Sequence, residues 1–308
     1  MKQSSQEWFE KKELSAGEKR LKLSWWIYNH FGTIPLKMIA FVITLFTVLT
    51  QKELRNNSHK YFRYLYEYTQ NKMYKPSFKN IFLHSLNYAF SLIDKMLVYS
   101  DNFKNIYFKN VETKNTILNF IQNKQGAFFV SNHIGNINML RAFISKNDIP
   151  PVKINVFLQK NQCEIFNNFI NKISTQENII ELFPVEDIDI DTSIIIQDKI
   201  NNGEFVFMAG DRISATTKEM SYSAELLNHS ILLPLGVLKF SIMLNCPILF
   251  STCAKKDNSY YFSIQKIELS GSKSKKIEIL KTLFPKFLEL STLEYPYQFF
   301  NFYNIFKD

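Results

Sequence analysis

The chain has 308 residues, 46% of them hydrophobic and 15% aromatic, and a formal net charge of +9. That is ample length for a buried core, and the charge suits an anionic partner such as a membrane surface or phosphorylated lipid. The three cysteines, Cys163, Cys246 and Cys253, are odd in number, far apart and form no C-x-x-C, which argues against a disulfide framework or a zinc site. H-E-x-x-H, P-loop, G-x-G-x-x-G and G-x-S-x-G patterns are absent, so no metal, nucleotide or other cofactor is expected. Basic residues are spread along the chain without a nucleic-acid-binding motif, so no nucleic-acid partner is expected either.

Residues 1–100 read as an N-terminal helical membrane-associating region, and 101–308 as an α/β domain. The first 33 residues are basic and aromatic, with Trp8, Lys11, Lys12, Lys19, Arg20, Lys22, Trp25, Trp26 and Tyr28. No small-residue cleavage site of a secretory signal is evident. The apolar run Met38–Thr50 reaches only about 20 Å as a helix, short of the roughly 30 Å hydrocarbon core, which favours partial insertion into one leaflet over a full span. From 54 to 99 the spacing of Tyr61, Tyr64, Leu65 and Tyr68, and of Ile81, Phe82, Leu86, Phe90, Ile93, Met96 and Leu97, is helical. A strand is expected at Phe103–Phe108 and a helix at Lys114–Asn123.

From 126 the pattern turns to strand–helix alternation. Strands are expected at 126–131, 152–158, 179–183, 204–208, 231–234, 247–254 and 259–268. Helices are expected at 135–146, 161–173, 190–201, 235–244, 273–290 and 297–306. Together they predict an α/β fold with a central mixed, largely parallel sheet flanked by helices. Lys255-Lys-Asp-Asn258 reads as a hairpin turn. The acidic run Glu186–Asp191 reads as a solvated loop capping the next helix. His133 falls at the exit of the first of these strands, just before a helix start, where α/β folds place chemistry. His30, His59, His84 and His229 share no spacing with each other or with acids and read as structural or surface groups.

Five segments then match a known pattern in order. Ser131-Asn-His-Ile-Gly-Asn-Ile-Asn138 resembles the S-x-H-x-G-N-x-E block of the lipid A biosynthesis lauroyl/myristoyl acyltransferase family, part of the lysophospholipid acyltransferase superfamily with its H-x-x-x-x-[DE] signature. Trp8-Phe…Glu18-Lys-Arg-Leu, Met208-Ala-Gly-Asp-Arg212, Pro234-Leu-Gly236 with Cys246-Pro-Ile-Leu-Phe250, and Pro296-Tyr-Gln-Phe-Phe-Asn-Phe-Tyr303 resemble further family segments. The last also resembles the ending of the branch associated with aryl polyene lipid clusters.

The resemblance implies transfer of a fatty acyl chain from acyl carrier protein or acyl-CoA to a hydroxyl of a membrane glycolipid, at the cytoplasmic face of the inner membrane. It puts His133 in the role of general base and an acidic partner five positions on, where this chain has Asn138. Three readings follow: Asp211 supplies the missing charge, the enzyme works with Asn138, or the chain is an impaired paralogue that binds lipid or acyl carrier protein. Asn132 would help position substrate. Gly135 and Asn136 would open the following helix, whose first backbone amides would hold the oxyanion, and Asn136 would cap that helix or donate to the developing oxyanion. Arg141 would face headgroups. Arg212 would bind a lipid phosphate or the donor's phosphopantetheine, or else form a structural ion pair with Asp211.

Overall fold

A computed structural model describes residues 18–99, 103, 105–139, 150–163, 180–213 and 220–307, with the side chains of 18–21, 99 and 138 outside the description. Trp8, Lys11, Lys12, Arg141, and most of the helices expected at 135–146 and 161–173 lie outside the described residues.

Four helices come first: α1 (Glu18–Phe31), α2 (Thr33–Thr50), α3 (Lys52–Thr69) and α4 (Phe78–Tyr99). α2 is longer than the apolar run alone suggested. Pro35 lies in its first turn, where a missing N–H costs little. Leu36, Thr44 and Val48 face inward, and the helix packs against α4. Arg55 closes its C-terminus by donating to the carbonyls of Val48 and Leu49, at 2.7 and 2.6 Å. On α3 the inward positions Leu54, Ser58, Tyr61, Phe62 and Leu65 repeat at helical spacing. α3 is not a separate layer: Tyr61, Phe62 and Leu65 share one buried cluster with Phe128 and Phe250 of the sheet.

Then follow β1 (Ile106–Phe108), α5 (Val111–Gln122), β2 (Ala127–Gly135), β3 (Ile154–Leu158), β4 (Ile180–Pro184), α6 (Ile190–Asn201) and β5 (Phe205–Ala209). The chain continues through β6 (Ser221–Leu226), β7 (His229–Pro234), α7 (Gly236–Met243), β8 (Ile248–Lys256), β9 (Ser259–Ile267) and α8 (Lys273–Glu294). Seven strands form one sheet in the order β1-β9-β8-β2-β5-β3-β4. Neighbours are parallel except β8 and β9, which are the expected hairpin. The fold is therefore α/β, with a mostly parallel mixed sheet flanked by helices. Its central strands are apolar on both faces because both are covered. Phe128 and Val130 point into a core shared with Leu238, Leu280 and Phe284; Ala127 and Phe129 point into one shared with Ile117 and Phe120. Asp189 caps α6 by accepting from the Thr192 amide at 2.8 Å, as the acidic run suggested.

Two expectations need correction. Residues 231–234 belong to a separate antiparallel hairpin, β6–β7, rather than to the main sheet. Residues 297–306 are not a helix. After a short 3-10 turn at Pro296–Gln298 the chain runs as an extended strap, with isolated bridges Ile134↔Phe299 and Ile231↔Phe306. Its aromatic spacing mimics a helix, but Phe299, Phe300 and Phe306 are buried against the domain and Phe302 packs with the ring of His84.

Candidate active site

β2 is the fourth of seven strands, with β5 and β8 on its two sides. Ser131 pairs with Ala209 of β5, so His133 and Asp211 each lie two residues beyond a register pair, at the C-terminal ends of adjacent parallel strands. That edge is where open α/β sheets hold their sites. On the other side, β2 pairs Ser131 with Ser251 and Gly135 with Cys253 of β8, so four residues advance against two. This bulge lifts His133 off the sheet, and bulges commonly re-aim a side chain beside an active site.

Gly135 ends the bulge. Its φ is +73°, and a Cβ there would lie 2.2 Å from the Cys253 carbonyl oxygen. Its contribution is close backbone approach, not contact with substrate. Asn132 is buried in the bulge, donating to Thr252 Oγ1 at 2.8 Å and accepting from the Ile134 amide at 3.2 Å. Asn136 sits before a 3-10 turn rather than at the expected helix start. Its side chain donates to the Ser91 carbonyl of α4 at 2.9 Å and its backbone N–H to the Cys253 carbonyl at 2.7 Å. β2 runs through Gly135, and a short 3-10 turn at Ile137–Met139 holds the Asn138 backbone where a helix start was expected.

His133 and Asp211 meet directly. His133 Nδ1 lies 2.7 Å from Asp211 Oδ1, and the His133 backbone N–H donates to Oδ2 at 2.8 Å. The Asp211 side chain is 0% exposed and that of His133 34%. An ionised carboxylate only accepts, so in the neutral ring this contact places the proton on Nδ1 and the lone pair on Nε2. Among the described residues none hydrogen-bonds to Nε2. Asp211 is thus the carboxylate in contact with the His133 ring.

Arg212 does not pair with Asp211. Its Nε donates to Asn301 Oδ1 at 2.9 Å and its Nη2 to the Phe300 carbonyl at 2.7 Å, and its guanidinium lies over the Tyr303 ring. The strap is thereby part of the site, a placement the chain order alone conceals. Asn301 Nδ2 also reaches Asp211 Oδ2 at 3.5 Å, and the Phe300 amide donates to the His133 carbonyl at 3.3 Å. His84 holds the strap from the other side. Its Nε2 bonds the Phe299 carbonyl at 2.7 Å, its Nδ1 lies 3.0 Å from Ser58 Oγ, and burial pushes its pKa down to about 4.

The cysteines are poor nucleophiles. Burial pushes the Cys163 thiol up to about 11 and Cys246 up to about 12, and raises Cys253 further. Among the described residues no three His, Cys, Asp or Glu side chains are grouped to hold a metal ion. No family model matches the chain, and no curated protein matches it significantly.

Proposed function

We propose that the chain is an acyltransferase that moves a fatty acyl group from a thioester, on acyl carrier protein or coenzyme A, to a hydroxyl of a membrane glycolipid at the cytoplasmic face of the inner membrane. The observation that carries this reading is the His133–Asp211 pair, with Nε2 open at the exit of β2. Nε2 takes the proton of the acceptor hydroxyl as its oxygen attacks the thioester carbonyl carbon. The tetrahedral intermediate collapses, the C–S bond breaks, and the imidazolium returns its proton to the departing sulfur. Asp211 holds the ring in the required tautomer and stabilises the imidazolium, the role the triad aspartate plays in serine proteases. Protonated cysteines favour direct transfer over an acyl-cysteine intermediate. With Asp211 in place, the chain does not need a carboxylate at position 138 to be active.

α2 supports the membrane part. It is long and apolar enough to cross a bilayer, yet only 17% of it is buried, unlike a core helix. Ile34, Met38, Val42, Phe46 and Leu49 all face outward, each more than half exposed. With its other face packed on α4, the helix suits insertion along the interface with its apolar side in the acyl region.

The test is transfer of a labelled acyl chain from acyl carrier protein or coenzyme A thioester to glycolipid by the purified protein. Wild type should transfer, and His133→Ala should lose about 10³-fold or more. Equal rates for the two proteins would refute the catalytic reading. Val42→Ser/Phe46→Ser should shift the protein from vesicles to the soluble fraction, and unchanged partitioning would refute the membrane placement.

A further inference from the structure

Asp211 and Arg212 are adjacent in the chain and carry opposite charges, yet they make no ion pair with each other. Asn301 stands between them. It is 3% exposed, accepts from Arg212 Nε at 2.9 Å through Oδ1, and by that bond turns its Nδ2 toward Asp211 Oδ2 at 3.5 Å. The guanidinium is held further by the Phe300 carbonyl and the Tyr303 ring. The strap that carries all three residues is pinned from several elements. Tyr61 donates to the Pro296 carbonyl, His84 bonds the Phe299 carbonyl, Asn57 donates to the Phe302 carbonyl, and Gln298 exchanges two hydrogen bonds with the Lys255 backbone.

An arginine in contact with a buried carboxylate would neutralise the charge that the imidazolium needs. Among the described residues, Asp211 is the charged side chain in hydrogen-bond contact with His133, and Arg212 reaches it through the Asn301 amide. A neutral amide with one acceptor and two donors satisfies both neighbours while keeping them apart.

We propose that Asn301 is a positioning residue that insulates Asp211 from Arg212, so that the carboxylate's charge is delivered to His133. This deepens the reading of His133 as a base and rests on it. Loss of the amide removes the group that stands between the guanidinium and Asp211, which exposes the carboxylate to the positive charge and lowers the affinity of His133 for its proton. A carboxylate in its place adds negative charge beside Asp211 and raises that affinity.

The test follows the ring titration of His133, one of five histidines, by NMR of ¹³C-histidine-labelled full-length protein in detergent, assigned with His133→Ala. Asn301→Ala should lower the His133 midpoint by about one pH unit, and Asn301→Asp should raise it by a similar amount. Asn301→Ala combined with Arg212→Gln should remove the lowering. In the transfer assay Asn301→Ala should reduce kcat about tenfold with KM within about twofold.

A structural role alone would not give shifts of opposite sign. If Asn301→Ala fails to fold, the smaller change Asn301→Ser, read with and without Arg212→Gln, decides in its place. Unchanged midpoints in folded variants, or a lowering that persists without Arg212, would overturn the proposal. Because the titration needs no substrate, shifts of the expected signs in a protein without transfer activity would sink the acyltransferase reading and leave the insulation by Asn301 standing.

Discussion

His84 and His133 are held by the same strap, one from each side, and they differ in how many ring nitrogens are engaged. His84 is wholly buried between α3, α4 and the strap, with both nitrogens bonded and rings of Tyr61, Phe62 and Phe302 around it. Its proton affinity is depressed, so it remains neutral and works as a fixed hydrogen-bonding cross-link. His133 has one nitrogen bonded to a buried carboxylate and the other open, with a third of its side chain exposed. The difference teaches that residue type and burial do not separate a structural histidine from a candidate base; an oriented ring with one open nitrogen is what the proposed role of His133 rests on.

The contrast can be broken from the His133 side first. Asp211→Asn should leave the protein folded and reduce transfer about 10³-fold, because the amide no longer fixes the Nδ1–H tautomer or stabilises the imidazolium. Retention of more than about a tenth of the activity would mean that Asp211 only holds the ring in place, as Ser58 does for His84.

The next effect belongs to His84 and is a matter of stability. Its folded value is about 4 against an ordinary value of 6.5, so between these pH values the unfolded chain binds more protons. Its contribution is therefore complete above about pH 6.5 and is lost as pH falls toward 4, by about 3 kcal/mol in all. Denaturant unfolding measured across that window should show the loss. His84→Asn should flatten it, and an unchanged slope in that variant would contradict the assignment.

Gly135→Ala should destabilise by about 2–3 kcal/mol, through strain at positive φ and collision with the Cys253 carbonyl. A thermal melt within about a degree of wild type would contradict the close-approach argument. The smallest effect sharpens the comparison most. Asn138→Glu should change the transfer rate by less than about threefold, since Asp211 already holds the ring. A large gain would show that Asp211 does not replace the acid of the resembled pattern.

Much of this architecture was legible because apolar runs and turn chemistry are local. Strand–helix alternation from 126 predicts the sheet, and Asp257-Asn258, both at positive φ, turn the β8–β9 hairpin as expected. The β6–β7 hairpin uses the same turn geometry at Leu227-Asn228, but leucine carries no turn signal, and β6 went unrecognised. His133 was legible from its place after an apolar strand. Asp211 was visible only as an acid after another strand, since nothing local says that β5 lies beside β2. The bulge was hidden altogether, because it is a mismatch between two strands and neither records it alone. That mismatch is why the contacts of Asn132 and Gly135 to β8, and of Asn136 to β8 and α4, could not be read from the sequence. The strap misled for a related reason: its aromatic side chains are buried by contacts to β2, β7 and α3–α4 that are remote in sequence, and their spacing is one that a helix also produces.

The strap has a kinetic consequence. The contacts that finish the site join positions 78, 90 and 215 residues apart, for His133–Asp211, Asp211–Asn301 and His84–Phe299. Loop closure over such separations is entropically costly, whereas the β8–β9 hairpin and the α3–α4 pair close over short ones. On dilution from denaturant, far-ultraviolet circular dichroism should therefore recover before the His133–Asp211 hydrogen bond forms. In that interval the protein is already helical and stranded, and α2 still presents an apolar face to any neighbouring chain.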